Sequence, residues 1–114
     1  MDSHVLSRLA TSALDDIKAR DVVCLEVAEL TPMADYMVIA TGNSSTHVKA
    51  LADEVIHQVK EAGGTVRGTE GRLQAEWVLV DLGSVVVHIM LAPTRALYSL
   101  EDLWNFGATD RHEN

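Results

Sequence analysis

A chain of 114 residues, 47% of them hydrophobic, is one domain's worth of sequence and long enough to bury a core without covalent staples; its composition argues against disorder. Seventeen acidic residues against 9 basic ones give a net charge of −8, which argues against a large footprint on nucleic-acid phosphates and suits a basic protein partner. The single cysteine, Cys24, excludes an internal disulfide framework, and no run reaches transmembrane length or resembles a signal peptide, so a soluble protein of a reducing, intracellular compartment is expected.

In chain order, residues 3–20 carry Val5, Leu6, Leu9, Ala13, Leu14 and Ile17 at three- and four-residue spacing, the stripe of an amphipathic helix, with Ser3 as its expected N-cap. Lys18 and Arg20 suit its C-terminal dipole. Val22–Val27 and Tyr36–Thr41 read as strands, the second apolar enough to be covered on both faces; Cys24 is expected as a buried structural thiol. The intervening segment with Pro32 reads as a loop. Gly42-Asn43 ends the second strand, and Ser44 or Ser45 can cap a helix running to about Ala62 with Val48, Leu51, Ala52, Val55, Ile56 and Val59 inward; Gly63-Gly64 suits its end. Thr65–Gly68 could form an edge strand before the Glu70-Gly71 turn. Residues 95–104, RALYSLEDLW, read as a closing helix, and 105–114 as a frayed tail, so the domain is expected over 1–104. The order is α-β-β-α-β-β-β-α: an α/β domain with a mixed sheet of about five strands flanked by helices.

Residues 76–91, EWVLVDLGSVVVHIML, organise the rest. Two apolar runs flank Gly83-Ser84, which suits a two-residue type II′ turn. That turn pairs Leu82 with Val85, Val80 with Val87 and Val78 with Ile89 on one aliphatic face, which should be core. The other face carries Asp81 beside Val86, Leu79 beside His88 and Trp77 beside Met90. A sheet covered on both sides would account for it; so would an anchor patch for a partner.

Catalytic patterns are absent. TGNSS, between strand and helix, could turn backbone N–H groups toward an anion, but it lacks the phosphate-loop Gly-Lys-Ser/Thr and reads more simply as a helix-capping turn. Glu76 and Asp81 point to opposite faces of a regular strand, and Asp35 has no acidic companion at spacing two, so they do not make a magnesium site. His47 and His57 lie nearly three turns apart on one helix, His4 and His112 are terminal, and no nucleophile elbow accompanies Ser44, Ser45 or Ser84. No enzyme, metal or cofactor is expected. What remains is a surface: Trp77, Leu79, His88 and Met90 on the hairpin with Arg95 and Tyr98 beyond it, Trp77 and Met90 facing the partner and Trp104 in the core.

The blocks DYMVIATGNSSTHVKALAD, Glu70-Gly71, EWVLVDLGSVVVHIM and RALYSLEDLW, in that order over roughly residues 3–104, resemble the iojap family, whose bacterial members are ribosomal silencing factors. The resemblance implies a fold related to nucleotidyltransferases without their catalytic carboxylates. It implies binding to the large ribosomal subunit at ribosomal protein number fourteen, blocking the small subunit when nutrients are scarce. The family's tryptophan, histidine and tyrosine fall on Trp77, His88 and Tyr98, and the chain departs from it at Ser84, where an acidic residue is common. It further implies a homodimer and, since the chain starts almost directly in its first helix, a bacterial cytoplasmic protein. Two other readings are a nucleotide-binding enzyme of nucleotidyltransferase type, using TGNSS, and a large-subunit assembly factor.

Overall fold

The structure, a computed structural model, describes residues 1–104, with side chains through Asp102. The order is α1 (Ser3–Asp16), β1 (Arg20–Glu26), β2 (Tyr36–Gly42), α2 (Ser45–Glu61), β3 (Gly68–Glu70), β4 (Trp77–Asp81), β5 (Val85–Leu91), α3 (Ala92–Tyr98) and α4 (Leu100–Trp104). The five strands form one mixed sheet, β1-β2-β5-β4-β3, in which β2 and β5 run parallel and the other pairs antiparallel. The α/β class, the number of strands and the single domain are as the sequence predicts; the edge strand lies at Gly68–Glu70 and not over residues 65–68.

Helices α1 and α2 share one side of the sheet. Leu6, Ala10, Ala13 and Leu14 of α1 and Val48, Leu51, Ala52, Val55 and Val59 of α2 meet Val38 and Ala40 of β2 and the aliphatic face of the hairpin. Val78, Val80, Val85, Val87 and Ile89 there are all at 0% exposure and Leu82 at 5%. The hairpin register is the one the alternation requires, with Val78 opposite Ile89 and Val80 opposite Val87. Of the two turn residues only Gly83 takes a positive φ, 92°, the pattern of a type II′ turn. The Asp81 carboxylate accepts from the Gly83 N–H at 2.8 Å, so the acid at the hairpin tip shapes the turn. The Ser84 carbonyl accepts from the amides of Asp35 and Tyr36, which ties the tip to the start of β2.

The helix ends show what local sequence could not. Asp2, rather than Ser3, caps α1, its side chain accepting from the amides of His4 and Val5. The helix stops at Asp16 because Lys18 turns left-handed (φ 64°), and the amides of Lys18 and Ala19 return to the carbonyls of Asp15 and Leu14. Helix α2 ends in the same Schellman arrangement with Gly63 (φ 88°) at the left-handed position. A side chain there costs roughly 1 kcal/mol, so Lys18→Gly is expected to raise stability by about that much. For a domain of this size the melting temperature should rise by a few degrees in a calorimetric scan. His47 joins the two helices: its Nδ1 accepts from the Asn43 N–H at 2.8 Å, so Nε2 carries the proton and donates to the Ile17 carbonyl at 2.7 Å.

Cys24 is exposed, contrary to expectation, because β1 is the sheet's edge. Partial burial pushes its thiol pKa up, against a lowering contribution from a hydrogen bond with Ser7, so it is no activated nucleophile. The expectations for the Trp104 side chain and for the tail 105–114 lie outside the described residues.

Candidate functional site

Among the described residues no long helix lies on the sheet's second face. By register it carries Val23 and Leu25 of β1, Met37, Ile39 and Thr41 of β2, Val86, His88 and Met90 of β5, and Trp77, Leu79 and Asp81 of β4. Helix α3 closes one end. Pro93 lies in the first turn of α3, where its missing N–H costs nothing, so β5 runs into the helix without a loop. The short helix folds back toward β5 and β2.

Arg95 holds it there. Its Nε and Nη2 donate to one Glu101 carboxylate oxygen at 3.2 and 2.7 Å, and its Nη1 donates to the Asp21 carbonyl at 2.7 Å and to Thr41 Oγ1 at 2.9 Å. The Glu101 carboxyl is held below its usual range, chiefly by the hydrogen bond from Arg95. With every guanidinium nitrogen bonded and only 12% of the side chain exposed, Arg95 is a strap inside the molecule, not the surface anchor expected of it.

The strap decides what the second face shows. Met90, expected to face a partner, is at 0% exposure, as is Ile39 beside His88. Thr41 and His88 are buried as well, His88 at 7%. A partner cannot reach Met90 in this arrangement, because α3 packs over the end of the face where Met90 and Thr41 pair. Trp77 and Leu79 remain half-buried, and Tyr98 is 54% exposed. The rings of Trp77 and Tyr98 lie 4.8 Å apart at 49°, and the Trp77 indole N–H donates to His88 Nδ1 at 2.9 Å.

Two side chains not picked out as anchors extend this row, Met37 and Val86, half-buried and paired across β2 and β5; on α3, Leu97 is 76% exposed. Val86 was legible as a neighbour of Asp81; Met37 was not, since nothing local reveals that β2 pairs with β5. Two shallow hollows flank the row. One, about 380 Å³, is lined by Leu73, Trp77, Thr94 and Tyr98 among others; the second, about 300 Å³ and mostly apolar, by Val27, Met33, Met37 and Val86 among others. A third hollow of about 390 Å³, bordered by His4, Arg8, Cys24 and Tyr36, lies against α1, away from this face. Among the described residues no three His, Cys, Asp or Glu side chains are grouped to hold a metal ion, and no helix is long and apolar enough to cross a membrane.

A family model described as ribosomal silencing factor during starvation matches residues 1–114. The chain belongs to the ribosomal silencing factor (RsfS) family. Among its relatives, the ribosomal silencing factor RsfS of Chromobacterium violaceum is 47% identical over 91% of this chain and 85% of its own length. A crystal structure of a Chromobacterium violaceum protein, 47% identical, superposes with a TM-score of 0.91 over 92% of this chain and 88% of that one. The mouse protein called mitochondrial assembly of ribosomal large subunit protein 1 is 32% identical over 90% of this chain and 46% of its own length. The fold of this RsfS-family chain is thus that of its bacterial relatives.

Burial lowers the His88 pKa from 6.5 to about 4. Between those pH values the unfolded chain takes up a proton that the folded chain refuses, so stability is fully present above 6.5 and declines as pH falls toward 4. The loss is expected to be on the order of 3 kcal/mol across that window. Urea titrations at pH 7 and pH 4.5 should show it, and His88→Asn, which cannot titrate, should remove most of the difference.

Proposed function

We propose that this RsfS-family protein is a non-enzymatic translation repressor of the bacterial cytoplasm, acting when nutrients are limited. It binds the large ribosomal subunit at ribosomal protein number fourteen and sterically blocks the small subunit. The observation that carries the reading is the hairpin face that no long helix covers among the described residues: Trp77, Leu79 and Tyr98, continued by Val86 and Met37, form an aromatic and aliphatic row in a chain whose family is named for silencing ribosomes. The net charge of −8 suits a basic ribosomal protein and would speed encounter without a direct footprint on nucleic acid. A second copy of the chain could use the same row, so a homodimer in solution would compete with the ribosome.

The printed name of the mouse relative favours one other reading, assembly of the large subunit through the same surface. Co-sedimentation with purified mature subunits separates the two. The repressor is expected to pellet with large subunits and not with small ones. Binding should weaken as salt rises, because exposed charges are screened beyond about 8 Å at physiological ionic strength. Binding restricted to immature particles would favour assembly, and binding to neither would reject both.

A further inference from the structure

We infer that His88 is a positioning residue for Trp77: by accepting the indole N–H it locks the ring on the open face, so that a partner meets the ring and not its donor. The inference rests on the proposed partner surface. Trp77 and His88 are diagonal neighbours across the β4–β5 pair, since Trp77 stands opposite Met90 and His88 opposite Leu79. Their rings are 5.9 Å apart at 51°, and the Nε1 to Nδ1 distance is 2.9 Å. The Tyr98 ring also lies against the indole, with centroids 4.8 Å apart. His88 itself is 7% exposed and has little surface to offer a partner, whereas Trp77 is half-buried and has some.

Accepting at Nδ1 requires the imidazole to be neutral with its proton on Nε2. Burial, which penalises the cation, favours that neutral form. The consequence for recognition is specific. A tryptophan that is free to turn must be immobilised when a partner docks, and its N–H must find an acceptor; here both are settled before the encounter. The indole is left as an apolar plate, which fits aliphatic side chains and the stems and cations of arginine or lysine stacked on its face.

The substitution His88→Asn keeps an acceptor where Nδ1 stands, because the amide oxygen lies the same number of bonds from Cβ, whereas His88→Leu fills the space without one. The test measures binding of purified large subunits by the parent, His88→Leu, His88→Asn and Trp77→Ala, together with the indole N–H resonances. The leucine variant is expected to bind roughly tenfold more weakly and to lose the hydrogen-bonded shift of the Trp77 indole proton; the asparagine variant should restore both. A leucine variant that folds and binds like the parent, while Trp77→Ala loses binding, overturns the positioning role and leaves the partner surface standing. Full binding by Trp77→Ala overturns both. If the leucine variant does not fold, long-range proton–nitrogen spectra of the parent decide: a proton on His88 Nε2 upholds the inference, and a proton on Nδ1 overturns it.

Discussion

Trp77→Ala is expected to weaken binding to large ribosomal subunits by about thirtyfold while leaving a folded protein. The factor follows from the roughly 2 kcal/mol or more that a tryptophan at the centre of an interface typically contributes. Trp77 is half-buried, against His88 and Tyr98, on a face that no long helix covers among the described residues. Truncation leaves the His88 acceptor and the Tyr98 ring open to water, and it leaves the aliphatic core on the opposite face untouched. A sedimentation titration paired with a melting curve separates the two effects. Melting should shift modestly, and the binding midpoint by more than an order of magnitude.

Met90→Ala is expected to do the reverse. Its side chain is at 0% exposure beneath α3, and deleting a buried methionine costs about 2–5 kcal/mol through lost transfer energy and the cavity left behind. Val87→Ala, on the helix-covered face, should lower stability by roughly 1–3 kcal/mol. Denaturant midpoints of both variants should fall, with subunit affinity per folded molecule largely retained. Trp77 and Met90 thus stand opposite each other on one face of the hairpin and are predicted to fail in different assays.

The hairpin shows how far local pattern reaches. A period of two and a Gly-Ser turn admit one register, because a slip of a single residue would turn either Val78 and Val80 or Val87 and Ile89 away from the helix-packed core. The stripes of α1 and α2 were legible for the same kind of reason, each needing an apolar surface to lie on, although Val5, read as part of the α1 stripe, is 52% exposed. The fate of the second face was not legible, because it depends on Arg95. That residue reads locally as an exposed cation in an aromatic-rich segment, a fair candidate for an anchor. Its decisive partners, the Asp21 carbonyl and Thr41 Oγ1, lie 74 and 54 residues away in sequence, and their position is known only once β1 and β2 are in place. Once α3 is strapped down, Met90 is covered. The closing segment is also two helices instead of one, because Ser99 takes a left-handed conformation (φ 46°) between α3 and α4. Pro93, two residues past the end of β5, sits in the first turn of α3, a role that pattern alone left open.

In the proposed function the open face of the hairpin occupies the large subunit and thereby keeps the small subunit away. Purified large and small subunits, mixed under conditions that favour joining and resolved on a sucrose gradient, test it most directly when the parent protein and Trp77→Ala are added at equal concentrations. The parent is expected to deplete the joined-ribosome peak and co-migrate with free large subunits, while the variant leaves most ribosomes joined. Joined ribosomes undiminished by a large molar excess of the parent would contradict it, as would equal depletion by the folded variant.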